Sequence, residues 1–116
     1  MLEATSTARI VMTTVASAED AARLGRTLVE ERLAACATVL PSAHSIYSWQ
    51  GKIESSDETL LLLKTATDQL PALESRLQEL HSYEITEVLV IEIEAGSQSY
   101  LKWLSEHVGA QPGTKV

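Results

Sequence analysis

Phenylalanine is absent from this chain of 116 residues and aromatics make up only 4% of it, so a core must be assembled from Leu, Val, Ile and Ala. Cysteine occurs once, as Cys36, which excludes an internal disulfide and a CxxC metal knuckle and fits a reducing compartment. Cations are scarce: nine Lys and Arg face sixteen Asp and Glu, a formal net charge of −7 that repels the phosphate backbone of nucleic acid. No apolar run approaches the roughly 18 residues that would span a bilayer, and no basic leader precedes one. A cytoplasmic protein without a membrane or nucleic-acid partner is expected. Catalytic signatures are missing too: there is no Ser-His-Asp elbow, Walker loop, GxGxxG or HExxH, so no enzyme activity is expected. With no repeat and no long linker, residues 1–116 read as one domain with an ordered core over about 8–109. Met1 to Thr7 and Ala110 to Val116 read as loose ends.

What is present is ordinary globular material, 45% hydrophobic and 22% charged. Arg9 to Val15 is short, apolar and β-branched, and predicts a buried strand. Ser17 with Asp20 has the form of a capping box, and Ala21, Leu24 and Leu28 form a stripe that predicts a helix over Ala18 to Ala34. A strand beyond Cys36 breaks at Pro41 and resumes at Ser45, alternating to Glu54 with Tyr47 and Trp49 on one face. Gly51 suggests a bulge, and Ser55-Ser56-Asp57 is read as the turn. Glu58 to Thr65, with four consecutive leucines, predicts a central strand. Asp68 is read as the cap of a helix carrying Leu70, Leu73, Leu77 and Leu80. The run from Ile85 to Glu94 predicts a fourth strand, and Ser97 opens a last helix stopped by Gly109. The order is βαββαβ plus a C-terminal helix: an α+β, ferredoxin-like fold with two helices on one sheet face and a long β-hairpin. The other face needs cover from the third helix or a partner, so self-association is expected.

The polar residues that interrupt this apolar pattern are the candidates for chemistry. Cys36 sits at a helix-to-strand junction, where a thiol either packs or ligates. Lys64 ends the leucine strand and either snorkels outward or meets a carboxylate in a pocket; Glu87 is the obvious partner. His81 follows a helix C-terminus, which favours a cation there, while neutral imidazole is a usual donor to Cu(II) or Zn(II). Tyr47 and Trp49 form a packing, interface or ligand-binding face, and Tyr83 is a further aromatic candidate.

Leu33-Ala34-Ala35-Cys36, Ser45-x-Tyr47-x-Trp49-x-Gly51-Lys52-Ile53, Glu58, Lys64-Thr65, His81-x-Tyr83-Glu84, Glu87 and Tyr100-Leu101-x-Trp103 together resemble the CutA family of divalent-cation tolerance proteins. The resemblance runs in unbroken order from about Ile10 to Val108. It implies a homotrimer whose hairpins extend sheets between subunits, similar to PII signalling trimers, and an association with tolerance to copper and other divalent metals. It also implies an intersubunit pocket lined by Cys36, Tyr47, Trp49, Lys64, His81, Tyr83 and Glu87, of which His81, Cys36 and Glu87 are the candidate metal donors by their chemistry. The chain departs from the family where Ser82 and Thr86 replace two prolines, where no cysteine ends the first strand and where Leu80 precedes His81 in place of a second histidine. Two readings follow: a homotrimer responding to metal ions with weak binding of Cu(II) or another divalent cation, or a PII-like sensor or scaffold holding an anionic small molecule in that pocket. Neither requires a cofactor.

Overall fold

A computed structural model describes residues 1–110. The elements are β1 (Leu2–Ala4), β2 (Ala8–Val15), α1 (Ala18–Glu30), β3 (Cys36–Trp49), β4 (Lys52–Ala66), α2 (Leu70–Leu80), β5 (Leu89–Glu92), β6 (Ala95–Ser97) and α3 (Gln98–Glu106). Four strands form one antiparallel sheet in the order β3-β4-β2-β5, with β4 and β2 central. This is the ferredoxin-like arrangement expected from the order of elements. The expected loose N-terminus instead forms β1, which pairs with β6 as a separate two-stranded ribbon. The expected loose C-terminal end, Ala110 to Val116, lies outside the described residues beyond Ala110.

The leucine run of β4 alternates between two environments. Leu61 and Leu63 are fully buried beneath α1 and α2 with Val11, Val15, Leu24, Leu28, Leu73 and Leu77, whereas Leu60 and Leu62 point to the other face and are only half-buried. The inner face also buries the Thr13 hydroxyl without a hydrogen-bond partner. At Gly25 an added Cβ would stand 2.7 Å from the Ala37 Cβ, so only glycine lets α1 approach the sheet this closely. On the outer face α3 covers one end, where Leu104 and Val108 pack on Ala8, Ala35 and Ala66. The remainder stays uncovered: Ile10, Met12, Leu60 and Leu62 are half-buried, and Leu40, Leu89 and Ile91 are exposed.

Several expected boundaries move, each for a local reason. Helix α1 ends at Glu30 rather than Ala34 because Arg32 takes a left-handed backbone, φ 60°. Its guanidinium then donates to the carbonyls of Glu106 (2.7 Å) and Gly109 (2.6 Å), tying α1 to the end of α3. Pro41 does not end its strand: β3 continues through a bulge in which Pro41 and Ser42 oppose one residue of β4. The hairpin turn is Gln50-Gly51, both at positive φ, as a two-residue turn matched to strand twist requires. Ser55-Ser56-Asp57, read as the turn, lies inside β4, and Gly51, read as a bulge, is the turn itself. Asp68 falls within a short 3₁₀ turn, Thr67–Gln69, and caps no helix through its side chain. The fourth strand shrinks to Leu89–Glu92, the segment that pairs with β2, while residues 85–88 run irregularly past the sheet. A radius of gyration of 15.4 Å exceeds the roughly 13 Å of a compact chain of this length, because the β3–β4 hairpin projects beyond the helices.

Candidate functional site

The displaced turn decides where the site lies. Because β3 and β4 stay paired as far as Trp49 and Lys52, Tyr47 and Trp49 project from the hairpin rather than from an isolated strand. Together with Ser45, Ile46, Ser56 and Glu58 from the hairpin, Thr14 from β2, and Tyr83, Glu84, Ile85 and Glu87 from the segment after α2, they line a cleft of about 700 Å³. Three of its lining residues are acids and three are aromatic, while no Lys or Arg lines it among the described residues. A second, smaller hollow of about 350 Å³ shares Glu58 and adds Asp57.

A hydrogen-bonded chain holds the cleft open. His81 caps α2 in extended conformation and is buried; its Nε2 lies 2.7 Å from the Thr14 carbonyl oxygen. The Tyr83 backbone N–H donates to His81 Nδ1 at 3.1 Å, which fixes the ring as the Nε2–H tautomer donating to Thr14. The Tyr83 hydroxyl donates to Glu58 Oε2 at 2.7 Å. The Ser56 hydroxyl makes a long bond of 3.5 Å to the Tyr47 oxygen. Burial, then the hydrogen bond to Glu58 and the nearby charge of that carboxylate, push the Tyr83 phenol far above its ordinary range. A raised pKa in the folded state contributes stability that is fully present below the unfolded tyrosine value of about 10 and is lost as pH climbs above it. Denaturant midpoints are therefore expected to fall at alkaline pH, and to fall less in Tyr83→Phe. An identical alkaline decline in the two proteins refutes this assignment.

The seven residues singled out in the sequence divide into two places. Tyr47, Trp49, Tyr83 and Glu87 line the cleft, and His81 stands directly behind it. Cys36 and Lys64 pair across β3 and β4 on the outer sheet face, with Lys64 Nζ 3.8 Å from Cys36 Sγ and 3.4 Å from Thr38 Oγ1. Lys64 pairs with Ile10 on β2, four residues from Thr14, a separation of about 13 Å along the strand. No ion pair joins Lys64 to Glu87 among the described residues. Nor does any group of three His, Cys, Asp or Glu converge there as a metal site. Both nitrogens of His81 are engaged, so its ring offers a metal no free lone pair in this conformation. Within one chain, His81, Cys36 and Glu87 therefore do not form a preassembled three-donor centre.

Thr14 also belongs to the cleft, as do Glu58 and Glu84, which the sequence marks only as part of the family pattern and not as candidates for chemistry. Glu58 had a readable signal, a carboxylate directly before four leucines; placing the turn at Ser55 to Asp57 made it look like a strand border.

Comparison with known proteins agrees with this architecture. Residues 9–107 match the family model described as "CutA1 divalent ion tolerance protein". The divalent-cation tolerance protein CutA of Thermus thermophilus is 44% identical over 100 residues, covering 86% of this chain and 97% of that protein. Human Protein CutA is 41% identical over 86 residues, which span 74% of this chain but 48% of the human protein. Among solved structures, CutA from Synechococcus elongatus superposes with a TM-score of 0.90 at 37% identity, covering 94% of this chain and 96% of that one. Family model, relatives and fold converge, and the chain belongs to the CutA1 divalent ion tolerance protein family.

Proposed function

We propose that this chain serves divalent-cation tolerance as a cytoplasmic homotrimer, a binding protein rather than an enzyme, with metal contacts that are weak and subordinate to assembly. The observation that carries this reading is the uncovered outer sheet face. Ile10, Met12, Leu60, Leu62, Leu89 and Ile91 form a continuous apolar surface beside a hairpin that overhangs the sheet. Apolar surface of this kind is typical of contacts between subunits, and closed symmetry satisfies it without leaving strand edges. The free thiol of Cys36 suits a reducing cytosol, and no helix among the described residues is long and apolar enough to cross a membrane.

Weak metal binding follows from the donors. To coordinate Cu(II), His81 must give up its bond to the Tyr83 N–H or to the Thr14 carbonyl, and that cost lowers affinity. Glu87 lines the same end of the molecule, whereas Cys36 is remote within the chain. Native mass spectrometry of the purified protein is expected to show a trimer, and titration with Cu(II) a modest affinity that falls severalfold in His81→Gln but not in His44→Gln. A monomer at micromolar concentration refutes the assembly. Undiminished copper binding in His81→Gln refutes the ligand.

The cleft favours a second reading, a small-molecule sensor of the PII-like kind. Its volume and its mix of aromatic walls with a few polar groups are those of a ligand pocket. The sign of its charge is the reverse of what an anionic ligand requires, because Lys64 stands apart on the outer face and the lining contributes Glu58, Glu84 and Glu87.

A further inference from the structure

Glu58 is only 9% exposed, yet no cation meets it among the described residues. Its one hydrogen-bond partner is the Tyr83 hydroxyl on Oε2. Oε1 has no hydrogen-bond partner among the described residues and is reached by solvent through the hollows that Glu58 lines. The carboxylate is thus enclosed on the Oε2 side and open on the Oε1 side, where a cationic donor from a ligand can replace water. The Tyr83 phenol supplies one donor and leaves the other oxygen free. The rest of the lining indicates what form of cation suits it. Tyr47 and Trp49 line the cleft as aromatic side chains, and Ile46 and Ile85 add apolar surface. A hydrated metal ion would leave those walls unused, whereas an organic cation uses both the carboxylate and the aromatic faces.

We infer that the cleft binds a primary ammonium group carried on a compact apolar body, the ammonium donating to Glu58 Oε1 and the body resting against Trp49 and Tyr47. The inference rests on the reading of the cleft as a ligand pocket and supplies the chemical class of its ligand. Tyr83 acts as a positioning residue: anchored through His81, its hydroxyl occupies Oε2 and leaves Oε1 as the acceptor for the ligand. Glu84 and Glu87 add negative potential at the same lining, which attracts cations and repels anions.

Three probes of matched size separate the alternatives: 2-phenylethylammonium, neutral 2-phenylethanol and anionic phenylacetate. They are titrated into the full chain carrying Trp103→Phe, in which Trp49 is the sole remaining indole of the two. The ammonium is expected to change Trp49 emission saturably and to bind at least about tenfold more tightly than the alcohol, the scale of one charge-assisted hydrogen bond. Phenylacetate should bind more weakly than either. Glu58→Gln should abolish the preference for ammonium over alcohol, and Glu58→Asp should keep its sign. Equal binding of ammonium and alcohol leaves the pocket standing and overturns the cation. Tighter binding of phenylacetate, or a preference that survives Glu58→Gln, overturns it as well. If none of the three perturbs Trp49 in a protein that sediments as an assembly, the pocket reading itself falls, and a cation of a neighbouring copy meets Glu58.

Discussion

Leu61→Ala is expected to destabilise the fold by about 3 to 5 kcal/mol, the upper part of the range for truncating a buried leucine. Leu61 is fully buried, lies in register with Thr13 on one side and Val39 on the other, and packs under α1. What raises the cost is Gly25: a Cβ there would lie 3.5 Å from Leu61 Cδ1, so the helix offers only hydrogen above the space that the leucine fills. The backbone cannot settle further, because α1 already approaches Ala37 as closely as a glycine allows. The cavity therefore remains open, and the loss is transfer energy plus unfilled volume. Equilibrium unfolding in denaturant measures it, with wild type and variant compared at equal protein concentration because the proposed assembly would contribute to apparent stability. A loss below about 1.5 kcal/mol would show that the helix closes onto the sheet after all.

The contrast between Leu61 and its neighbours shows where sequence was legible and where it was not. Element order, the two helices on one face and the stripe of Leu73 and Leu77 followed from periodicity, because a 3.6-residue repeat has one solution when a single face is buried. The leucine run of β4 carries no such signal. Four apolar side chains in succession are compatible with burial on both faces of a protomer, and equally with one face in the core and the other awaiting a subunit. The structure puts Leu61 and Leu63 in the core and leaves Leu60 and Leu62 half-buried on the outer face. The hairpin turn was misplaced because Ser55-Ser56-Asp57 has turn composition, whereas the real turn places Gln50 in a left-handed conformation that its residue type does not advertise. That shift of five residues left Glu58 at a strand border instead of within the paired hairpin. In the same way, Arg32 ends α1 in a left-handed conformation that nothing local demands; the reward is a tertiary clamp on carbonyls more than seventy residues away. The aromatic half of the cleft was visible as Tyr47, Trp49 and Tyr83. Its acidic half was not, because spacing alone does not tell which glutamates of an acidic chain are drawn together by strand register.

The outer face makes the opposite prediction to the inner one. Leu62→Lys is expected to leave the protomer folded and to abolish the proposed trimer at micromolar concentration. Leu62 lies at the centre of the apolar face, in register with Met12 on β2 and Thr38 on β3, and it is half-buried in the isolated chain. A lysine there can lay its aliphatic stem along Met12 and keep its ammonium in water, so the protomer tolerates it. A subunit packed on that face removes the water. Three copies related by symmetry then bring three unpaired ammonium groups into one apolar interface, each costing several kcal/mol. No acid is in register beside Leu62 to absorb the charge. Wild type should sediment at three times the 12.6 kDa protomer, Leu62→Lys at a single protomer mass with unchanged far-ultraviolet circular dichroism, and Leu62→Met as wild type. If Leu62→Lys assembles like wild type, the trimer contact lies elsewhere, and the hairpin with its exposed Ile46 and Ile53 becomes the surface that joins the subunits.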